Sequence, residues 1–134
     1  MSKEPVIVLV ADDNENDQWL MRRAFETVAR DIQVDFVRDG QETIDYLVIN
    51  SMPSLLILDH KMTRLNAFGV LKWLREDDTF KDLPVVIVSG MKSADDEGNA
   101  IKLGARAYYS KPYDFADMKE LVRTLLRYCN PAAA

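Results

Sequence analysis

LLILDHKMT, residues 55–63, is the stretch that decides the fold. Its aliphatic run Leu55 to Leu58 passes straight into Asp59, and VIVLVADD at residues 6–13 passes in the same way into Asp12 and Asp13. A short unbroken aliphatic run, rather than an alternating one, marks a strand covered on both faces, the usual state of a parallel sheet. Burying a carboxylate without a partner costs several kcal/mol or drives its pKa upward. Strand ends of this kind therefore need a compensating charge.

Outward from these runs, the chain has 134 residues, the size of one domain with a real core. The expectation is a single domain over residues 1–134, with its core from about 5 to 128 and no effector domain attached. A net charge of -5 argues against nucleic acid as a direct partner, because phosphate backbones are bound by clustered Lys and Arg. The lone cysteine, Cys129, cannot close an internal disulfide, and MSKEPVIVLVADD lacks the long apolar core of a signal peptide. No apolar run approaches the roughly 20 residues that cross a bilayer. The chain is expected to be cytoplasmic, with no membrane partner.

Aliphatic runs alternate with amphipathic segments in five units, which predicts a parallel sheet wrapped by helices. Val6 to Ala11 is the first strand, and Asn14 with Asp17 forms a helix cap before Leu20, Met21, Ala24, Phe25 and Val28. VDFVRDG predicts a second strand, with Asp39 capping a helix that carries Ile44, Leu47 and Val48 on one face. The third strand follows Pro53, and Phe68, Val70, Leu71 and Leu74 lie on the helix behind it. Pro84 opens VVIVSG, the fourth strand. Ser93 and Asp96 cap a short polar helix that contains Gly98 and ends at Gly104, predicting the loosest helix of the set. ARAYY is a short fifth strand, and Asp114 caps a last helix with Met118, Leu121, Val122 and Leu125 inward.

Strands of a parallel sheet all point one way, so residues that end separate strands gather on one edge, where open α/β sheets place their ligands. Asp12, Asp13 and Asp59 are then neighbours. Two like charges at 4 Å repel by about 4 kcal/mol at an effective dielectric of 20, so three carboxylates together call for protonation or a cation. A hard divalent ion such as Mg²⁺ suits them, keeping positions open for phosphate oxygens. The fourth and fifth strands run out into Ser89-Gly90 and Lys111, donors matched to phosphoryl oxygens. Taken singly, each piece has an ordinary structural reading as a cap, a strand end or a turn. The coincidence of all of them at successive strand ends is what points to chemistry.

VADD, LLILD, VVIVSG and YYSKPYD occur in the order and at the spacing that resemble the receiver domain of two-component response regulators, over essentially the whole chain. The resemblance implies a doubly wound sheet of order 2-1-3-4-5, the flavodoxin-like receiver fold. It implies Asp59 as phosphoacceptor, and Asp12, Asp13, Asp59 and the Lys61 carbonyl as the Mg²⁺ site. Lys61, Ser89, Gly90 and Lys111 would bind the phosphoryl group, Ser89 and Tyr108 would form the switch, and Lys111-Pro112 would be a cis peptide. The reaction implied is in-line attack of Asp59 on a phosphohistidine, followed by slow hydrolysis of the acyl phosphate. Partners would be a sensor histidine kinase or histidine phosphotransfer protein. Output would pass through the face of the fourth helix, fifth strand and fifth helix, to a target protein or to a second copy in a homodimer. VDFVRDGQETIDYL, residues 34–47, is similar to small stand-alone receivers that serve phytochrome-like kinases.

The sequence departs from the commonest receiver pattern at Lys61, Thr63 and Ala67, the last two standing where proline and glycine are usual. Those two put the shape of the loop after Asp59 in question. His60 reads as a surface loop residue, since a lone histidine builds no zinc site. Tyr108 has two readings, an exposed edge aromatic or an inward-turning switch. A rival function is an aspartate-nucleophile phosphatase of the haloacid dehalogenase type, which needs an acid where Lys61 stands. Another is an interaction module that never takes phosphate, to which the complete acidic site is opposed.

Overall fold

The computed structural model describes residues 6–90 and 93–129. Five parallel strands form one sheet in the order β2-β1-β3-β4-β5: β1 Ile7–Ala11, β2 Gln33–Val37, β3 Leu55–Leu58, β4 Val85–Ser89 and β5 Ala107–Ser110. The helices between and after them are α1 Glu15–Val28, α2 Gly40–Ile49, α3 Ala67–Arg75, α4 Ala94–Lys102 and α5 Phe115–Leu125. The expected order and the expected elements are all present.

The pleat divides the core in two. Val8, Val10, Leu55, Ile57, Val86 and Val88 face α1 and α5, where they meet Met21, Phe25, Met118, Val122 and Leu125. Leu9, Leu56, Leu58, Val85 and Ile87 face the other side and meet Leu47, Val70, Leu71, Leu74 and Ala100. Neighbouring residues in one aliphatic run thus enter opposite cores, which is why the runs are unbroken rather than alternating. One helix differs from expectation: Val48 is 66% exposed, and Thr43 is buried beside Leu47 instead. The Thr43 hydroxyl donates to the Asp39 carbonyl at 2.8 Å, which satisfies its only polar group and lets it replace an aliphatic residue on the inner face.

Four helices start on the caps read from the sequence. Asn14, Asp39, Ser93 and Asp114 accept the backbone N–H of Asp17, Glu42, Asp96 and Asp117. Asn66 caps α3 in the same way, accepting from Gly69. Gly104 closes α4 with φ +106, a left-handed conformation suited to glycine. Of α4 itself only Ala100 is buried, in line with its polar sequence.

The loop after β3 is fastened to the start of α2. Gly40 donates its N–H to the Leu65 carbonyl at 3.1 Å, and Arg64 donates to Asp39 from Nε at 2.8 Å. That hydrogen bond holds the Asp39 carboxyl below the usual carboxylate range. Arg64 adopts φ 63, and Leu65 N–H closes back on the Thr63 carbonyl at 2.7 Å. The loop without its usual proline is therefore a tight turn centred on a left-handed arginine. Ala67, fully buried, replaces glycine without strain as the first residue of α3.

A β-carbon on Gly40 would lie 2.2 Å from the Leu65 carbonyl oxygen, a backbone atom that cannot swing aside. Gly40→Ala is expected to cost about 1–3 kcal/mol, as overpacking does. Urea unfolding would register this as a lower midpoint at unchanged slope, and an unchanged midpoint would mean the loop after β3 yields freely.

Candidate functional site

The last rungs of the sheet place the site residues. Asp12 donates its N–H to the Val37 carbonyl at 3.0 Å, Asp59 to Ala11 at 2.9 Å and Lys111 to Ser89 at 2.8 Å. The backbone of each is thus held one residue past its strand, at the carboxyl edge of the sheet. The Asp12, Asp13 and Asp59 side chains converge there, with one oxygen of each within 4.8 Å of the others. Asp12 is 4% exposed and Asp59 8%.

The Lys111 ammonium sits among these carboxylates, 2.9 Å from Asp12, 2.7 Å from Asp17 and 2.9 Å from Asp59. Burial works against its charge, but the hydrogen bonds it donates to Asp17, Asp12 and Asp59 outweigh that and raise its pKa above the usual lysine range. The peptide bond before Pro112 is trans, not cis as expected. Nζ already reaches three carboxylates from the trans chain, and a trans X-Pro bond is favoured by about 0.5–1 kcal/mol unless contacts overturn it.

Asp12 behaves differently from Lys111. Desolvation pushes its pKa up to about 6, although hydrogen bonds from Lys111 and from the Asn14 N–H, at 2.9 Å, pull the other way. One ammonium does not neutralise this group of acids. The residual charge, the hard oxygen donors and their spacing fit a divalent cation held by Asp12, Asp13 and Asp59.

The raised Asp12 pKa has a consequence for folding. Between the unfolded value of 3.8 and the folded value of about 6, the folded chain keeps a proton that the unfolded chain has released. Stability from this group is therefore greatest below that window and falls as pH rises through it, by roughly 2–3 kcal/mol. In EDTA the urea midpoint of wild type should drop from about pH 4 to pH 7 relative to Asp12→Asn. Parallel pH profiles of the two proteins would refute the buried, proton-retaining Asp12.

Ser89 is buried at the end of β4, and Tyr108 is 2% exposed, so it takes the inward rather than the exposed-edge reading. Burial raises the Tyr108 phenol pKa, while a hydrogen bond from the Ser89 hydroxyl opposes the rise. Asp13, Asn14, Asp17, Asp59, Lys61, Ser89, Gly90 and Lys111 line a shallow pocket of about 190 Å³ at this edge. A β-carbon on Gly90 would meet open space, so that glycine is not required by steric crowding.

Two residues acquire parts that sequence reasoning did not give them. Asp17 takes part in the α1 cap through its backbone N–H, as read, and its carboxylate also accepts from Lys111. Its position one turn into a helix that begins beside Asp13 was the available signal. His60, expected on the surface, has a side chain only 14% exposed and meets Tyr108 and Phe68. No local pattern announces that contact, because it joins residues 48 positions apart.

The order of the sheet and its acidic, lysine-bridged carboxyl edge define a doubly wound α/β protein built to take a phosphoryl group. Residues 8–123 match the response regulator receiver domain, and the chain belongs to that family. It is a phosphoacceptor domain of two-component signalling. The polar-differentiation response regulator DivK of Brucella anthropi is 30% identical over 122 residues, which cover 91% of this chain and 97% of DivK. Response regulator Rre1 of Synechocystis is 32% identical over 92% of this chain, which spans 52% of Rre1's length. Among solved structures, the phosphorylated cyanobacterial phytochrome response regulator RcpA superposes with TM-score 0.86 at 25% identity, covering 98% of both chains. Response regulator RPA3017, from red light signalling of R. palustris, superposes at 0.84 with 30% identity and 96% coverage of both. No helix among the described residues is long and apolar enough to cross a membrane.

Proposed function

We propose that Asp59 is the residue that accepts the phosphoryl group, from a phosphohistidine of a sensor kinase or histidine phosphotransfer protein. The observation that carries this reading is the convergence of one carboxylate oxygen each of Asp12, Asp13 and Asp59 within 4.8 Å, with the Lys111 ammonium paired to Asp12 and Asp59. A carboxylate oxygen of Asp59 attacks phosphorus in line, an O–P bond forms, the N–P bond to the imidazole breaks, and the imidazole nitrogen leaves with the bonding pair. Lys111, already paired with Asp59, moves its charge onto the oxygens of the transferred group, and the Ser89 hydroxyl donates to another of them. The Gly90 backbone and Lys61 border the same pocket and contribute to binding the group. Mg²⁺ held by Asp12, Asp13, Asp59 and the Lys61 carbonyl would supply Lewis-acid neutralisation of phosphoryl charge. Asp17 is a partner to which the ammonium returns once the group is lost by slow hydrolysis of the acyl phosphate.

The output is a change of surface rather than a product. A group of charge near -2 claims the Ser89 hydroxyl, which now donates to Tyr108, and so acts on β5 and on the thinly buried α4. The face of α4, β5 and α5 is the surface offered to a target protein or a second copy. Likeness to RcpA and RPA3017 favours a phytochrome-type kinase as the source of the phosphoryl group.

Incubation with acetyl phosphate and Mg²⁺, followed by intact mass, tests the reading. One acid-stable, base-labile phosphoryl adduct is expected, and its formation should stop in EDTA. Steady turnover of a small phosphoester with no adduct would instead make the chain a phosphatase.

A further inference from the structure

His60, immediately after the phosphoacceptor, bridges three elements. Its Nδ1 lies 2.8 Å from the Tyr108 hydroxyl on β5 and 3.8 Å from a carboxylate oxygen of Asp96 on the first turn of α4. Its ring lies against Phe68 of α3, centroids 4.7 Å apart and tilted by 32°, and meets the edge of Tyr108 at 5.9 Å. The Ser89 hydroxyl also hydrogen-bonds the Tyr108 hydroxyl, so the phenol is held from both sides. Ser89, Tyr108 and His60 thus form a hydrogen-bonded chain whose last member is covalently next to Asp59.

We propose that His60 is a positioning residue that holds Tyr108 inward through the hydrogen bond between Nδ1 and the Tyr108 hydroxyl. This rests on the phosphoacceptor reading of Asp59. Ser89 is a conditional partner for Tyr108, because a phosphoryl group competes for its hydroxyl. His60 is a constant one, because no step of phosphoryl transfer claims Nδ1. The inward tyrosine is therefore populated before phosphorylation as well as after it.

Replacing all tyrosines by 3-fluorotyrosine, with the Tyr108 signal assigned by Tyr108→Phe, gives a ¹⁹F spectrum that reads the ring's burial directly. Two variants separate hydrogen bonding from packing. His60→Phe keeps a ring against Phe68 and Tyr108 but loses the hydrogen-bonding nitrogen, and His60→Gln keeps a hydrogen-bonding group but loses the ring. In unphosphorylated protein, His60→Phe is expected to lower the ratio of inward to outward Tyr108 roughly three- to tenfold, the worth of one hydrogen bond, and His60→Gln to restore most of it. Tyr108 remaining inward in His60→Phe, or leaving in both variants alike, would overturn the assignment, since packing would then be the cause. The same samples treated with acetyl phosphate should all gain one adduct. Loss of the adduct from wild type would count against Asp59 as acceptor, a result separate from the position of Tyr108.

Discussion

Asp59→Asn should end phosphoryl uptake from acetyl phosphate altogether, leaving the mass of the treated protein that of the untreated one. The reason is the pairing of nucleophile and surroundings rather than the loss of a charge alone. An amide presents no anionic oxygen to phosphorus and gives a divalent cation a weaker ligand. Neither remaining acid can take over. Asp12 is more deeply buried and is occupied by Lys111 and the Asn14 N–H. Among the described residues the Lys111 ammonium pairs with Asp59 at 2.9 Å, and with Asp12 and Asp17, rather than with Asp13. A fall of more than about a thousandfold in the rate is the expected size, comparable to removing a nucleophile from a covalent mechanism. The substitution should leave the fold intact and, without metal, somewhat more stable, because one charge leaves a repelling set. An adduct of wild-type yield on the variant would move the acceptor elsewhere.

Lys111→Met should be the most destabilising change at the site while metal is absent. The ammonium is 9% exposed and touches three carboxylates. Methionine fills much the same volume and removes only the charge. Breaking a buried pair by deleting one partner typically costs about 3–5 kcal/mol, because the other charge stays behind unpaired. Lys111 holds the Asp12 pKa down, so without it Asp12 takes up a proton more readily and offsets part of the loss at low pH; the loss should therefore grow as pH rises. A divalent cation substitutes for the missing charge and binds only the folded site, so saturating Mg²⁺ should restore a large share of the lost stability. The diagnostic is the difference between urea midpoints in Mg²⁺ and in EDTA, which should be larger in the variant than in wild type. Phosphoryl transfer should remain impaired about a hundredfold or more even in Mg²⁺, since charge on the transferred oxygens is then met by the metal alone. A variant with wild-type stability in EDTA would show that the three carboxylates do not depend on the lysine.

Much of this site was legible because its residues follow strand ends. Asp12, Asp59, Ser89 and Lys111 are each fixed by a ladder that begins in an unmistakable aliphatic run, so their meeting follows from strand direction and order. Asp17 was legible only as a cap, because helix spacing places it on a face without saying which lysine lies opposite. Val48 was misplaced for a related reason: amphipathic spacing at α2 offers two nearly equivalent faces, and Thr43 tips the choice through a hydrogen bond to its own helix. The cis peptide was a borrowed expectation with no residue pattern behind it, and a trans chain delivers Nζ to the same carboxylates.

The amino-acid sequence alone determined the parallel sheet, the starts of its helices and the acidic edge, because each depends on periodicity, caps and chain direction within a few residues. The tertiary structure alone decided what His60 touches, where the Asp17 carboxylate goes, which way Tyr108 turns and how Gly40 and Arg64 close the loop after Asp59. Those contacts join residues far apart along the chain, and their energies depend on distances and burial that exist only once the two cores have closed around the sheet.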